Sequence, residues 1–216
     1  MLRLKWLAYE HCIPVLLRGS IIFPHTRRME RSMKLNPNNT WTLVEKKMAS
    51  ESDPIVRRNL ELVFRHMQAE AKGDIEGVVK TLTESPRYLA HDVPELDAMN
   101  PHGSKDAIRA FYDLTIIQTG AHQLELNCDR VIADRESVMT EGLMRMAYPG
   151  RTLAAMGIEV DDPDAFYVYE TRMSVVWPVD AAEGKLIGEE TYTGTDGFAG
   201  IADRKLGPDD IVPLEI

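Results

Sequence analysis

The chain has 216 residues, 44% of them hydrophobic and 27% charged, with a net charge of −9. Such a length buries the core of one domain with an appendage, and the composition fits neither a disordered chain nor a membrane protein. The acidic balance excludes nucleic acid as the main partner, because phosphate binding needs a basic face. Cys12 and Cys128 form neither a disulfide framework nor a metal-ligand spacing, and read as reduced thiols of a cytoplasmic protein.

Residues 1–33 carry six basic against two acidic side chains, a local charge of +4 that leaves −13 for the remainder. Their apolar runs, "IPVLL" and "SIIF", fall far short of the roughly 20 residues of a membrane span, and no small-residue cleavage pattern follows. The segment reads either as an export signal or surface anchor, or as an upstream extension of the reading frame, with Met29 and Met33 as later starts. Residues 1–50 are therefore set apart as an extension, within which the polar, turn-forming "KLNPNNTW" (34–41) reads as a linker.

At Asp53 the pattern changes. In "SDPIVRRNLELVFRHMQAEAKGD", Ser52 or Asp53 is an N-cap with Pro54 behind it, and Val56, Leu60, Val63, Phe64, Met67 and Ala71 recur at helical spacing until Gly73. A second short helix, "DIEGVVKTL" (74–82), leads into a brief strand, "RYLAH". After an irregular loop with two prolines comes a third helix at 104–118, capped by Ser104. Alternating segments at 122–134, 137–148, 165–179 and 184–194 then predict four strands. The connection 149–164 is too long for a hairpin turn and is a candidate lid or dimer contact. Three helices before four strands predict an α+β domain over residues 51–200, with helices packed on one face of a curved antiparallel sheet and a pocket between the layers. The tail, 201–216, is expected on the domain edge.

The segments "AKGDIEGVVKTL" (71–82), "HDVP" (91–94), "GSKDAIRAFY" (103–112) and "EGKLIGEETY" (183–192) occur in the order seen in the nuclear-transport-factor-2-like (NTF2-like) superfamily. The chain resembles its SnoaL-like, ketosteroid-isomerase-like and limonene-epoxide-hydrolase-like members over about residues 54–194. The resemblance implies a cone of three helices on a sheet of four to six strands, a homodimer paired through the sheet, and no cofactor. It also implies proton-transfer chemistry on a hydrophobic, aromatic or cyclic small molecule: a lyase or isomerase performing isomerisation, dehydration, retro-aldol cleavage or cyclisation. It places Asp92 where these enzymes keep a proton-moving carboxylate, and His66, seven residues before Gly73, where the isomerases keep a tyrosine donor. The arginine–aspartate pair of the epoxide hydrolases is missing, because Gly142 and Met144 stand in its place and Thr191 replaces the last-strand aspartate. The superfold also hosts non-catalytic ligand-binding and dimerisation modules, which is the alternative reading.

A carboxylate walled by apolar groups has its charged form desolvated, so its proton becomes exchangeable near neutrality. That is the reason to single out Asp92; the plainer reading is a turn cap before Val93-Pro94. His66 is either a carbonyl-polarising donor or a core histidine bonded to backbone. Tyr88 shares the predicted face of Asp92 and Tyr169 belongs to an apolar face of the longest strand; both would shape the pocket. Glu190 is a further catalytic candidate, and Arg172 and Glu141 are candidate substrate contacts, each equally readable as a solvated strand residue. Dispersed histidines and the absence of Cys-x-x-Cys or His-x-x-x-His spacing predict no metal site.

Overall fold

The computed structural model describes residues 34–91, 100–121 and 123–215. The extension 1–33 and the expected site residue Asp92 lie outside them. From Leu35 onward the chain already belongs to the packed body. A 3₁₀ turn at Pro37–Asn39 is capped by the Asn36 side chain, which accepts from the Asn38 amide at 3.2 Å. It leads into α1 (Thr42–Ser50), and Trp41 and Val44 are buried in the main core. Residues 35–50, expected as linker and extension, contribute Leu35, Trp41 and Val44 to the buried cores.

Helix α2 (Pro54–Ala71) begins as its sequence requires, with the Asp53 carboxylate accepting from the Ile55 amide at 2.9 Å. Val56, Leu60, Val63 and Met67 form its buried stripe. Gly73 ends it with φ 66°, a left-handed conformation that glycine adopts without strain. Asp74 then caps α3 (Ile75–Thr81), which runs directly into β1 (Leu82–Ala90). Helix α4 (Lys105–Tyr112) continues into a π-helical turn at Asp113–Ile117. The strands β2 (Leu124–Ala133), β3 (Ser137–Pro149), β4 (Phe166–Asp180) and β5 (Lys185–Thr193) form an antiparallel meander. The long connection between β3 and β4 carries α5 (Gly150–Ala155), whose Leu153 packs on Tyr167 and Ile201. A short β6 (Lys205–Leu206) pairs with the start of β4, and Ile211 bridges Leu35, so the tail lies along the body.

The sheet order is β1-β5-β4-β3-β2, and β1 runs parallel to β5. The helices cover one face of this curved mixed sheet, which is an NTF2-like α+β cone. Along β4, Val175, Trp177 and Val179 are buried toward the helices, whereas Arg172 is exposed on the other side. Among the described residues no helix is long and apolar enough to cross a membrane.

One irregularity decides where the polar side chains point. Val176 pairs with Glu190 and Val179 with Leu186, so β5 holds one residue more than β4 over this stretch. This β-bulge reverses the alternation, and both Leu186 and Glu189 face the helices. Gly188 makes it sterically feasible: its φ is 155°, and a Cβ there would lie 1.8 Å from the Arg87 carbonyl oxygen of β1. Gly188→Ala must push β1 and β5 apart. A loss of at least about 2 kcal/mol of unfolding free energy is expected; a urea midpoint equal to wild type would show that the strands tolerate the methyl group.

Candidate active site

Helix α2 carries His66 and, one turn later, Glu70 on the same face. His66 is fully buried, with its ring edge-on to Trp177 at 5.1 Å, and the Trp177 indole in turn donates to the Thr140 hydroxyl at 3.0 Å. The Thr81 hydroxyl donates to the Val78 carbonyl at 2.6 Å, so it can only accept from His66 Nδ1–H, 2.7 Å away. That fixes the tautomer. The other ring nitrogen, Nε2, faces Glu189 Oε1 at 3.1 Å, and a proton on either atom makes the contact a hydrogen bond. The pair is either imidazolium with carboxylate or imidazole with carboxylic acid, and transfer across the bond interconverts the two.

Tyr112, at the end of α4, extends the chain. Its hydroxyl donates to Glu189 Oε1 at 3.0 Å, which leaves its oxygen to accept from the Tyr88 hydroxyl at 3.2 Å and to face Glu70 Oε1 at 3.4 Å. Burial, followed by the charge of Glu189, pushes the Glu70 carboxyl up to about 8, although the residue as a whole is only half-buried. Burial also holds the phenols of Tyr88 and Tyr112 well above their ordinary range, with the charge of Glu189 adding to it, so both stay neutral donors. Two carboxyls, one imidazole and two phenols thus share one continuous hydrogen-bonded path. It can store a proton, move it over several atoms and present it to a reacting group.

Of the residues expected from sequence, His66 and Tyr88 are brought into this network. Glu190 is not: it faces the opposite side of the sheet, 3.5 Å from His91 Nε2 and 3.8 Å from Arg87 Nη2. Arg172 and Glu141 pair with each other at 2.8 Å on that outer side, with Asp129 beside Arg172. Tyr169 packs on Phe198, with ring centroids 4.9 Å apart, in a separate aromatic cluster with Tyr148. Sequence reasoning missed Glu189, Glu70, Tyr112 and Thr81. The spacing of Glu70 four residues after His66 was a usable signal. Glu189 was hidden by the bulge, which simple alternation cannot foresee. Among the described residues no cluster of three or more His, Cys, Asp or Glu is placed to hold a metal ion.

No protein-family model and no curated protein matches the sequence. Solved structures do match. A protein of Shewanella putrefaciens CN-32 superposes with a TM-score of 0.58 at 11% identity, over 74% of this chain and 93% of its own. Another, from Shewanella denitrificans OS-217, gives 0.54 at 12% identity over 67% and 96% of the two chains. One from Jannaschia sp. CCS1 gives 0.51 at 19% identity over 71% and 97%. All three are provisionally called SnoaL-like polyketide cyclases. At these identities the likeness establishes the fold alone: the chain shares the NTF2-like α+β fold.

The Glu70 carboxyl gives the fold a pH dependence. The native state keeps this proton up to about 8, whereas an unfolded glutamate releases it near 4.5. Between those values the native state binds more protons, so stability falls as pH rises, by up to about 1.4 kcal/mol per pH unit for one group. Glu70→Gln should flatten this slope, matching wild type near pH 5 and exceeding it at pH 8 in thermal melts. Parallel pH profiles for the two proteins would show that Glu70 titrates normally.

Proposed function

We propose that the protein is a cofactor-independent lyase or isomerase that moves protons on an apolar, ring-bearing small molecule. The observation that carries this reading is the single hydrogen-bonded path joining Glu189, His66, Tyr112, Tyr88 and Glu70. Glu189 retains 12% side-chain exposure while His66 behind it has none, so the carboxylate is the proton acceptor and the imidazole its reservoir. A Glu189 carboxylate takes a proton from carbon beside a carbonyl, and the electron pair of the broken C–H bond passes to the carbonyl oxygen. The proton returns to another carbon of the same molecule while Thr81 holds His66 in place. Glu70, held protonated near neutrality, and the phenols keep the far end of the path supplied with donors. Two carboxyls held in unlike protonation states can divide the roles of base and donor, the arrangement on which ketosteroid isomerases also rely. Tyr88 and Tyr112 belong to the same buried core as Met67, Ile108 and Trp177, which favours a substrate without charge.

Asp92, two residues past the end of β1, is the competing proton shuttle that the resemblance to isomerases singles out. The reading includes a cytoplasmic homodimer paired through the sheet. A second reading, a non-catalytic ligand-binding module, is favoured by the edge-to-face packing of Tyr88, Phe111 and Tyr112, at centroid distances of 5.5–6.1 Å, beside the carboxyls.

The decisive experiment incubates the full chain with a panel of aromatic and terpenoid ketones, diols and alcohols and follows products by mass spectrometry. For any converted compound, Glu189→Gln should lower turnover by at least about 100-fold with the melting curve retained. Full activity in Glu189→Gln and its loss in Asp92→Asn would move the base to Asp92. Compounds that bind and return unchanged would favour the second reading.

A further inference from the structure

A groove of about 410 Å³ runs between α2 and α3 and reaches the start of β5. Gly77 marks the closest approach of the two helices: a Cβ there would lie 2.9 Å from the Ala69 Cβ. The volume lies in the range of small-molecule sites. Thr81 also lines the groove, but its hydroxyl is committed to Val78 and His66, so other groups must hold a visitor.

Those groups are cations. Arg65 and the C-cap Lys72 come from α2, Lys80 from α3 and Lys185 from the first position of β5. They form a basic island in a chain whose residues 34–216 carry a net charge of −13. The Lys185 ammonium donates to the Lys80 carbonyl, which fixes it at the β5 end of the groove with two N–H donors to spare. The Lys72 ammonium lies 6.0 Å over the Trp41 ring. Arg65 pairs with Glu61, whereas no carboxylate among the described residues forms an ion pair with Lys72, Lys80 or Lys185. The neighbouring acids are engaged by backbone. Asp74 accepts from the Gly77 amide at 2.8 Å, and Asp180, opposite Lys185 on β4, accepts from the Ala182 and Glu183 amides. Setting Asp74 and Glu61 against the four cations leaves the groove with a charge of +2.

We propose that this groove binds a small phosphomonoester. Such a group carries close to two negative charges at neutral pH, which matches the excess of the groove. A monocarboxylate would leave one cation unmet, and a triphosphate would bring more charge than the site can receive. The phosphate oxygens accept from Lys80 and Lys185 at the β5 end, and the organic part lies along Ala69 and Gly77 toward Lys72. The basic island also gathers a dianion from solution against the acidic surroundings. The site stands independently of the proposed reaction.

Titration of the isotope-labelled full chain with phenyl phosphate and with phenyl sulfate at about pH 7.5, followed by amide chemical shifts, tests this. The two esters share one body and differ by one negative charge. Phenyl phosphate should bind with a Kd of about 1 mM or below, at least about fivefold more tightly than the sulfate, and should move the Gly77 and Thr81 amides. Lys80→Gln should weaken it by about threefold or more with the melting curve retained. Lys185→Gln should act likewise, but it also removes a bond to the Lys80 carbonyl, so Lys80→Gln is the cleaner variant. Arg151→Gln, which removes a cation paired with Asp164 outside the groove, should leave the affinity unchanged. No saturable shift up to about 10 mM, equal affinity for the two esters, an unaffected Lys80→Gln or an equal loss in Arg151→Gln would each overturn the proposal.

Discussion

The arrangement of the polar interior depends on the contact between His66 and Glu189. A histidine with no exposed surface needs a partner for each ring nitrogen, and a carboxylate carried into the same layer needs a proton or a cation. Each supplies what the other lacks. Thr81 completes the arrangement by committing its own proton to Val78, which forces the imidazole into one tautomer. Tyr112 then attaches to the carboxylate from the α4 side and links it to Tyr88 and Glu70. Remove either member of the central pair and the other would be left as an uncompensated polar group between helices and sheet.

The same contact explains the backbone irregularity on β5. A regular strand would turn Glu189 outward and Glu190 inward. The extra residue on β5 exchanges them, and glycine at 188 is the residue that lets β1 approach closely enough for the exchange. Such bulges commonly re-aim a side chain beside a functional site. Here the re-aimed residue is an acid, and the displaced one, Glu190, joins the exposed Arg87 and His91 instead.

Much of the architecture was legible in the sequence because its signals are local. The Asp53-Pro54 start of α2, its apolar stripe and Gly73 are consecutive cues, and the switch from helical to alternating spacing after Gly120 marks the sheet. Less visible were features set by distant partners. Residues 34–50 look like a linker because polar side chains dominate, yet Leu35, Trp41 and Val44 suffice to anchor them. The parallel pairing of β1 with β5 has no local signature. In the site, His66 and Tyr88 could be found from a resemblance and a strand face, whereas Glu189 required knowledge of a bulge that only the neighbouring strand creates. Alternation counted from Leu186 gives the wrong glutamate for that reason alone.

The parallel seam between β1 and β5 has a kinetic consequence. His66 and Glu189 are separated by 123 positions, so the loop that joins them closes only after most of the chain has been ordered. Contacts between such distant segments form late and slow the search for the native state. The meander of β2 to β5 can assemble from neighbouring segments, and docking of the N-terminal helices and β1 onto its last strand is then the step that shelters the ionisable groups. A nascent chain released from the ribosome would thus hold its framework before it holds its chemistry.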